Sequence, residues 1–288
     1  MTSFFDRPLS RRSALLAAGI GGAALAAAPR AQAQNRVLGT VIDYAAGVPS
    51  AQSIKNAGHL GAVRYVSQRR PGTESWMLGK PVTLQETRAL ETLGLKTASV
   101  YQFGKGSTAD WKRGAAGAAT HAPQAIALHA AAGGPRNRPI YMAIDDNPTR
   151  DEYDRLIRPY LQACKLALEA AGYQLGIYGN YFTIDWAIAD GLGEFFWQHN
   201  WGSQGRIHPR AQLHQIRIDK DRVGGVGVDI NNVYAHDWGQ WTPSNIVDQV
   251  VPAPAPGAAP SLPDVQLPGG SSLSQVADLV NSVAKLSS

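Results

Sequence analysis

The alternation of short apolar runs with helical stretches between residues 36 and 242 constrains this chain more than any other feature. Residues 37–43 form an apolar run that ends in Asp43, and 62–66, 96–101, 139–145 and 173–178 are four further runs of strand length. Between them, 83–93 opens with Thr83 and Glu86 at capping-box spacing, and 114–132 is alanine-rich. Residues 149–171 carry Leu156, Tyr160, Cys164 and Leu168 along one helical stripe. Strand–helix–strand repetition predicts a parallel sheet with right-handed crossovers. After Tyr178 the pattern changes to one helix, 181–189, and then strands at 194–197, 212–216 and 227–230 joined only by loops. Eight strands with fewer helices predict an α/β fold, an irregular TIM-type barrel of about five β/α units followed by three strands. An open doubly wound sheet is the alternative, but no Gly-x-Gly-x-x-Gly follows an early strand.

The flanks are of a different kind. Arg11 and Arg12 precede an uncharged Ala/Leu/Gly run over 14–28, and Ala31-Gln32-Ala33 offers small residues for cleavage before Gln34. The run is shorter than the roughly 20 apolar residues a membrane span needs. Residues 1–33 therefore read as a twin-arginine export signal, with a general secretory signal or an uncut anchor as the alternatives. Ala14 stands where such signals usually carry a bulkier residue. The segment holds four arginines and one acid, so 27 Lys+Arg and 22 Asp+Glu become 23 and 21 without it, a net of +2. That balance gives no support to a nucleic-acid partner. Residues 243–270, with Pro252, Pro254, Pro256, Pro260, Pro263 and Pro268, read as a linker. Residues 271–288 read as a short amphipathic helix with Leu273, Val276, Leu279, Val280 and Val283 on its apolar face, available to a partner. The expected product is a secreted or cell-envelope protein with no integral membrane segment in the mature chain.

Cys164 is the only cysteine, so no intrachain disulfide forms, and its place on a helical stripe predicts a buried thiol. Stability then rests on the hydrophobic core of a domain of about 210 residues.

A barrel places its chemistry at the C-terminal ends of its strands. Asp43 ends the first strand, Asp145 and Asp146 end the fourth ahead of Asn147-Pro148, and Asp229 sits in the eighth. In a closed barrel the first and eighth strands are neighbours, so acids from distant parts of the chain converge on one face. Any one of them could instead cap the turn that follows. Converging carboxylates cleave glycosides, bind a hard cation or grip a polar ligand. The first needs one carboxyl kept protonated beside another that is ionised. Cation sites recruit more acids per segment, as in Asp-x-Asp-x-Asp, which is not present, and no metal or other cofactor is expected. Tyr178, Trp197, Tyr101, Tyr44, Trp201 and Tyr234 lie near the same strand ends and suit stacking on pyranose faces. Gln102, Gln215, Asn180 and Arg64 are candidates for hydrogen bonds to hydroxyl and acetamido groups. Tyr141 and Tyr173 read as core. Neither His-Glu-x-x-His nor Gly-x-Ser-x-Gly occurs.

The stretches 58–65, 82–95, Ile140-Tyr141-Met142-Ala143-Ile144-Asp145, Gly176-Ile177-Tyr178-Gly179 and Gln215 with Val228-Asp229-Ile230-Asn231 resemble the domain of unknown function 1906. This is a glycoside hydrolase-like domain of twin-arginine-exported bacterial proteins, and the likeness covers roughly 38–240. That domain is in turn similar to the lysozymes of glycoside hydrolase family 25. The resemblance implies an irregular barrel of five β/α units and three strands, a peptidoglycan or related polysaccharide partner, and site acids at Asp43, Asp145 and Asp229. The glutamate that the lysozymes carry two places after the strand-four aspartate is Asn147 here, and an amide is no acid. Asp145 or Asp146 is left for the acid role, with Asp43 or Asp229 as base or stabiliser. Two classes stay open: an envelope glycosidase, or a glycan-binding relative that has lost the acid. A scaffold acting through 271–288 is a third.

Overall fold

The computed structural model describes residues 36–243 and Asp278. The twin-arginine segment, the proline-rich stretch and, apart from Asp278, the C-terminal amphipathic segment lie outside the described residues.

The elements follow the order β1 (Gly39–Asp43), α1 (Ala51–Asn56), β2 (Gly61–Tyr65), α2 (Leu84–Thr92), β3 (Lys96–Tyr101), α3 (Ala115–Ala131) and β4 (Pro139–Ala143). Next come α4 (Arg150–Glu152), a π-helical turn (Tyr153–Ile157), α5 (Arg158–Ala170), β5 (Gln174–Gly179) and α6 (Tyr181–Ala189). Three strands, β6 (Phe195–Gln198), β7 (Leu213–Val223) and β8 (Val226–Val233), complete the domain without helices. The eight strands close into a barrel in sequence order. β1 to β7 run parallel, and β8 is antiparallel to both β7 and β1. This is the irregular barrel of five β/α units and three strands that the sequence predicts.

Side-chain alternation sets which residues fill the lumen. Val41, Val63, Val100, Ala143, Trp197 and Val233 belong to one buried cluster inside the barrel. Their neighbours Ile42, Ala62 and Ile230 point outward and pack with Ile54 of α1 and Leu90 of α2. On the other side Ile140, Met142 and Ile177 meet the alanines of α3 and the stripe of α5, where Tyr160, Cys164 and Leu168 are all buried. Each large apolar side chain so buried contributes about 1.5–3 kcal/mol. Burial pushes the Cys164 thiol far up, which makes it inert as well as structural. Tyr141 and Tyr173 are core, as expected.

At the lower end of the barrel Trp238 joins the lumen cluster, and Trp241 packs outside it against α3. Trp241 pairs its backbone with Thr97, and its indole donates to Ser99 Oγ at 3.1 Å. The Tyr141 hydroxyl donates to the Trp238 carbonyl at 2.9 Å. The opposite end carries Asp43 and Asp145.

Three local features differ from the sequence expectation. α1 adds a helix between β1 and β2. Thr83 caps α2 by accepting the Glu86 N–H at 3.2 Å, but the Glu86 carboxylate turns to Arg64 instead of closing the box. β7 and β8 run beyond the expected 212–216 and 227–230 as a hairpin arm rich in charge, where Arg217 pairs with Asp221 at 2.8 Å. Residues 217–222 of that arm are exposed or half-buried and only Val223 and Val228 return to the core, so no apolar alternation marks it.

Candidate active site

Asp43 and Asp229 are directly opposite each other across the β1–β8 ladder. Val41 and Val233 face the lumen, so two-residue periodicity brings Asp43, Asp229 and Asn231 to the same side. Gln215 of β7 bridges the two acids: its Nε2 donates to Asp43 Oδ2 at 3.1 Å and to Asp229 Oδ2 at 3.2 Å. The Tyr178 hydroxyl fixes Gln215 by donating to its Oε1 at 2.8 Å. Asn231 Nδ2 donates to Asp43 Oδ2 at 2.8 Å, and the Trp197 indole holds Asn231 Oδ1 at 2.7 Å. The Tyr65 hydroxyl reaches Asp43 Oδ1 at 3.3 Å.

Asp43 is 2 % exposed. Burial, reinforced by the Asp229 charge, pushes its carboxyl up to about 7 in spite of the hydrogen bonds it accepts. Burial also raises Asp229 to about 6, against the lowering effect of an N–H from Asp219. Like charges this close do not both ionise readily, so the pair keeps a proton near neutral pH and titrates as a unit.

This has a consequence for stability. The ordinary value for the Asp43 carboxyl is 3.8, and the folded state raises it to about 7. The stability contributed by the protonated form is complete below the lower value and lost as pH climbs through the higher one. Asp43→Asn keeps an acceptor for Asn231 and Gln215 and turns a donor toward the Tyr65 oxygen. It is expected to raise thermal stability by about 2–3 kcal/mol more at pH 8 than at pH 5. Thermal unfolding at the two pH values checks this, and an equal difference at both contradicts it.

Asp145 follows Ala143 in the lumen-facing register. It accepts from Gln102 Nε2 at 2.8 Å, with Lys105 Nζ 3.7 Å away. Gln102 and Lys105 lie on the loop after β3, which Asp110 pins by accepting the Phe103 and Gly104 N–H groups at 2.8 and 2.7 Å. Beneath them sits Lys80, 3 % exposed. Its ammonium donates to the Gln102 carbonyl at 2.9 Å and lies 3.9 Å over the Tyr65 ring. Burial brings it down to about 7.

Asp146 does not join Asp145. Its Oδ1 accepts the N–H of Asn147 at 2.9 Å, closing a turn at the strand end. Asn147 is exposed and held by Asn180, whose Nδ2 donates to its Oδ1 at 2.9 Å while Asn180 Oδ1 caps α6. Gly202, at φ 71°, passes so close that a Cβ there would lie 2.1 Å from Asn147 Oδ1. Only glycine fits at that position.

The residues expected to grip a ligand divide. Gln102 and Gln215 reach the acids. Arg64 does not, and this corrects the sequence expectation. Val63 and Tyr65 face the lumen, so Arg64 points out beneath α2 and is 0 % exposed. Its Nε donates to Glu86 at 2.5 Å, and its two amino groups donate to the Tyr44 and Gly79 carbonyls at 2.5 and 2.6 Å. Tyr178 and Trp197 are 5 % and 1 % exposed, with ring centroids 4.3 Å apart. They cover each other and act through their polar atoms, which rules out the expected stacking of a pyranose on their faces. Tyr44 and Tyr101 are likewise buried outside the cleft, bonded to Glu86 and to Gln124. Trp201 is half-buried, one face stacked on His199 at 3.7 Å. Tyr65, Asn231, Lys80, Lys105 and Asp219 were missed. The first two lie two residues from Val63 and Asp229, so alternation alone could have found them.

Among the described residues no group of three or more His, Cys, Asp or Glu is placed to hold a metal ion, and no helix is long and apolar enough to cross a membrane.

The model of the Rv2525c-like, glycoside hydrolase-like domain matches residues 52–234. The chain belongs to this family. Rv2525c of Mycobacterium tuberculosis, provisionally named a peptidoglycan hydrolase, is 53 % identical over 229 residues, which is 79 % of this chain and 92 % of that protein. A crystal structure of Rv2525c, described as Tat-secreted and in complex with L-tartrate, is 55 % identical. It superposes with a TM-score of 0.68 over 71 % of this chain and 100 % of the crystallised one. A second crystal form, in complex with HEPES, gives 54 % and 0.66 over 71 % and 99 %. The export of that relative by the twin-arginine route agrees with Arg11 and Arg12 here, and this Rv2525c-like chain is a secreted protein.

Proposed function

We propose that this protein is a cell-envelope glycoside hydrolase that cleaves peptidoglycan glycan strands at the barrel mouth. The Asp43–Asp229 pair supplies the proton and Asp145 is the stabilising carboxylate. The observation that carries this reading is the bridged acid pair, which keeps a proton near neutral pH between two carboxyls joined by Gln215. Asp229 is the half-buried member and Asp43 the buried one, so the proton leaves through Asp229. It passes to the glycosidic oxygen as the bond from that oxygen to the anomeric carbon breaks. Asp145 faces the positive charge that develops on the sugar, water adds to the anomeric carbon, and the proton released restores the pair. The ring of Trp201 and the amides of Gln102 and Asn147 suit the apolar face and the acetamido groups of the sugar. Peptidoglycan is the substrate class favoured by the name of Rv2525c, the resemblance to lysozymes and the export signal.

Incubation of the mature protein with purified peptidoglycan, followed by mass spectrometry of the soluble products, tests the reading. Muropeptide release that Asp145→Asn abolishes supports it, and tight sedimentation without release contradicts it.

Asn147 favours a second reading, a glycan-binding protein without hydrolysis, because an amide fixed by Asn180 stands where the lysozymes have their acid. Asn147→Glu separates the two. If the pair already supplies the proton, the substitution changes release by less than about tenfold. Release that appears only in Asn147→Glu favours the binding protein.

A further inference from the structure

The β7–β8 arm acts on the acid pair from outside the barrel. Arg217 pairs with Ile230 and Asp221 with Val228, so Ile218, Asp219 and Lys220 all face Asp229 alone. At the centre of this bulge Asp219 takes φ 55°, a left-handed conformation that Asp tolerates better than most residues. The turn sends its backbone N–H inward to Asp229 Oδ1 at 2.8 Å, while its own side chain stays at the surface. A regular ladder would spend that N–H on a strand carbonyl. The base of the bulge is clamped by the two-fold Arg217–Asp221 contact at 2.8 and 3.0 Å, so the N–H is held on its target.

We infer that Asp219 is a positioning residue that sets how the shared proton is divided between Asp43 and Asp229. Its backbone N–H favours the ionised form of Asp229, and its carboxylate, on the same bulge, opposes that form. Both influences act on Asp229 in these directions. The other groups that face Asp229 are Asp43 from β1, Gln215 from β7, Asp145 from the end of β4 and Lys105 from the loop after β3. In catalysis this role rests on the hydrolase reading; the division of the proton does not. The carboxylate keeps enough proton on Asp229 for it to serve as an acid, and the N–H keeps that proton transferable.

The test is a carboxyl-carbon NMR titration of the full chain, and it separates the two influences at one position. Asp219→Gly and Asp219→Asn tolerate the left-handed backbone, keep the N–H and remove the charge. Both are expected to lower the Asp229 midpoint by about half a pH unit. Asp219→Pro removes the N–H together with the charge and cannot adopt φ 55°, and is expected to place the midpoint at least about half a pH unit above that of the glycine and asparagine variants. If that variant does not fold, Asp219→Val, which disfavours positive φ, takes its place. A bulge that only relieves strand twist leaves the midpoint where it was in all variants, and that result overturns the proposal. Peptidoglycan release is scored separately. Midpoints that move as expected without release from the wild type sustain the proton division and sink the hydrolase reading. Release with unmoved midpoints does the reverse.

Discussion

Asp229→Asn is expected to lower muropeptide release at pH 6 by about a hundredfold or more, with sedimentation on peptidoglycan largely kept. The substitution removes the only member of the acid pair that lies at the cleft edge. It also removes the charge that helps raise Asp43, so the midpoint of Asp43 should fall from about 7. The new amide meets a conflict: the Asp219 N–H and Gln215 Nε2 both donate to this side chain, and only one oxygen remains to accept. Some local stability is lost with it, so sedimentation and unfolding must be measured beside the rate. A hundredfold loss with intact folding and binding assigns the effect to the proton. A rate within a factor of a few of the wild type would move the acid elsewhere in the cleft.

Arg64→Met is the second large effect, and it concerns stability. The guanidinium is fully buried, lies 3.8 Å over the Tyr44 ring, and joins β2 to Glu86 of α2 and to the Tyr44 and Gly79 carbonyls. Removing it leaves a buried carboxylate and two carbonyls without their donor. Breaking a buried pair from one side costs about 3–5 kcal/mol, which corresponds to roughly 10 °C in a domain of this size. Thermal unfolding checks this. Arg64→Met together with Glu86→Leu should recover much of the loss, since the stranded charge is then gone as well. A ligand-binding arginine at this position would show the opposite pattern, with unchanged stability and weakened sedimentation.

Arg64 also shows where sequence reading stops. Strand order, the change from β/α units to bare strands after α6 and the placing of Asp43, Asp145 and Asp229 at one barrel end are legible, because apolar runs ending in carboxylates mark barrel strands directly. The facing of a strand that is buried on both sides is not. β2 reads Gly-Ala-Val-Arg-Tyr, and with lumen and helix layer both apolar, polarity does not tell inside from outside. Polarity alone therefore points Arg64 at the cleft and leaves Tyr65 in the wall, and the lumen-facing Val63 reverses the two. Tyr178 and Trp197 look like stacking platforms in the sequence because they lie at strand ends. An eight-stranded barrel must fill its own interior, and these rings do so. Lys80 and Lys105 sit in loops with no periodicity to expose them. Asp219 sits in a bulge, where the two-residue period that would flag it is broken.

The pH dependence of release tests the central claim most directly. With the proton held on a pair that titrates at about 6 and about 7, the active form is the protonated one, and it is lost as pH rises through that interval. Initial rates of muropeptide release from purified peptidoglycan at pH 5.5 are expected to exceed those at pH 8.5 by at least about tenfold, with the fall centred between 6 and 7. Rates that rise toward pH 8.5, or sedimentation without release at every pH, would contradict the account.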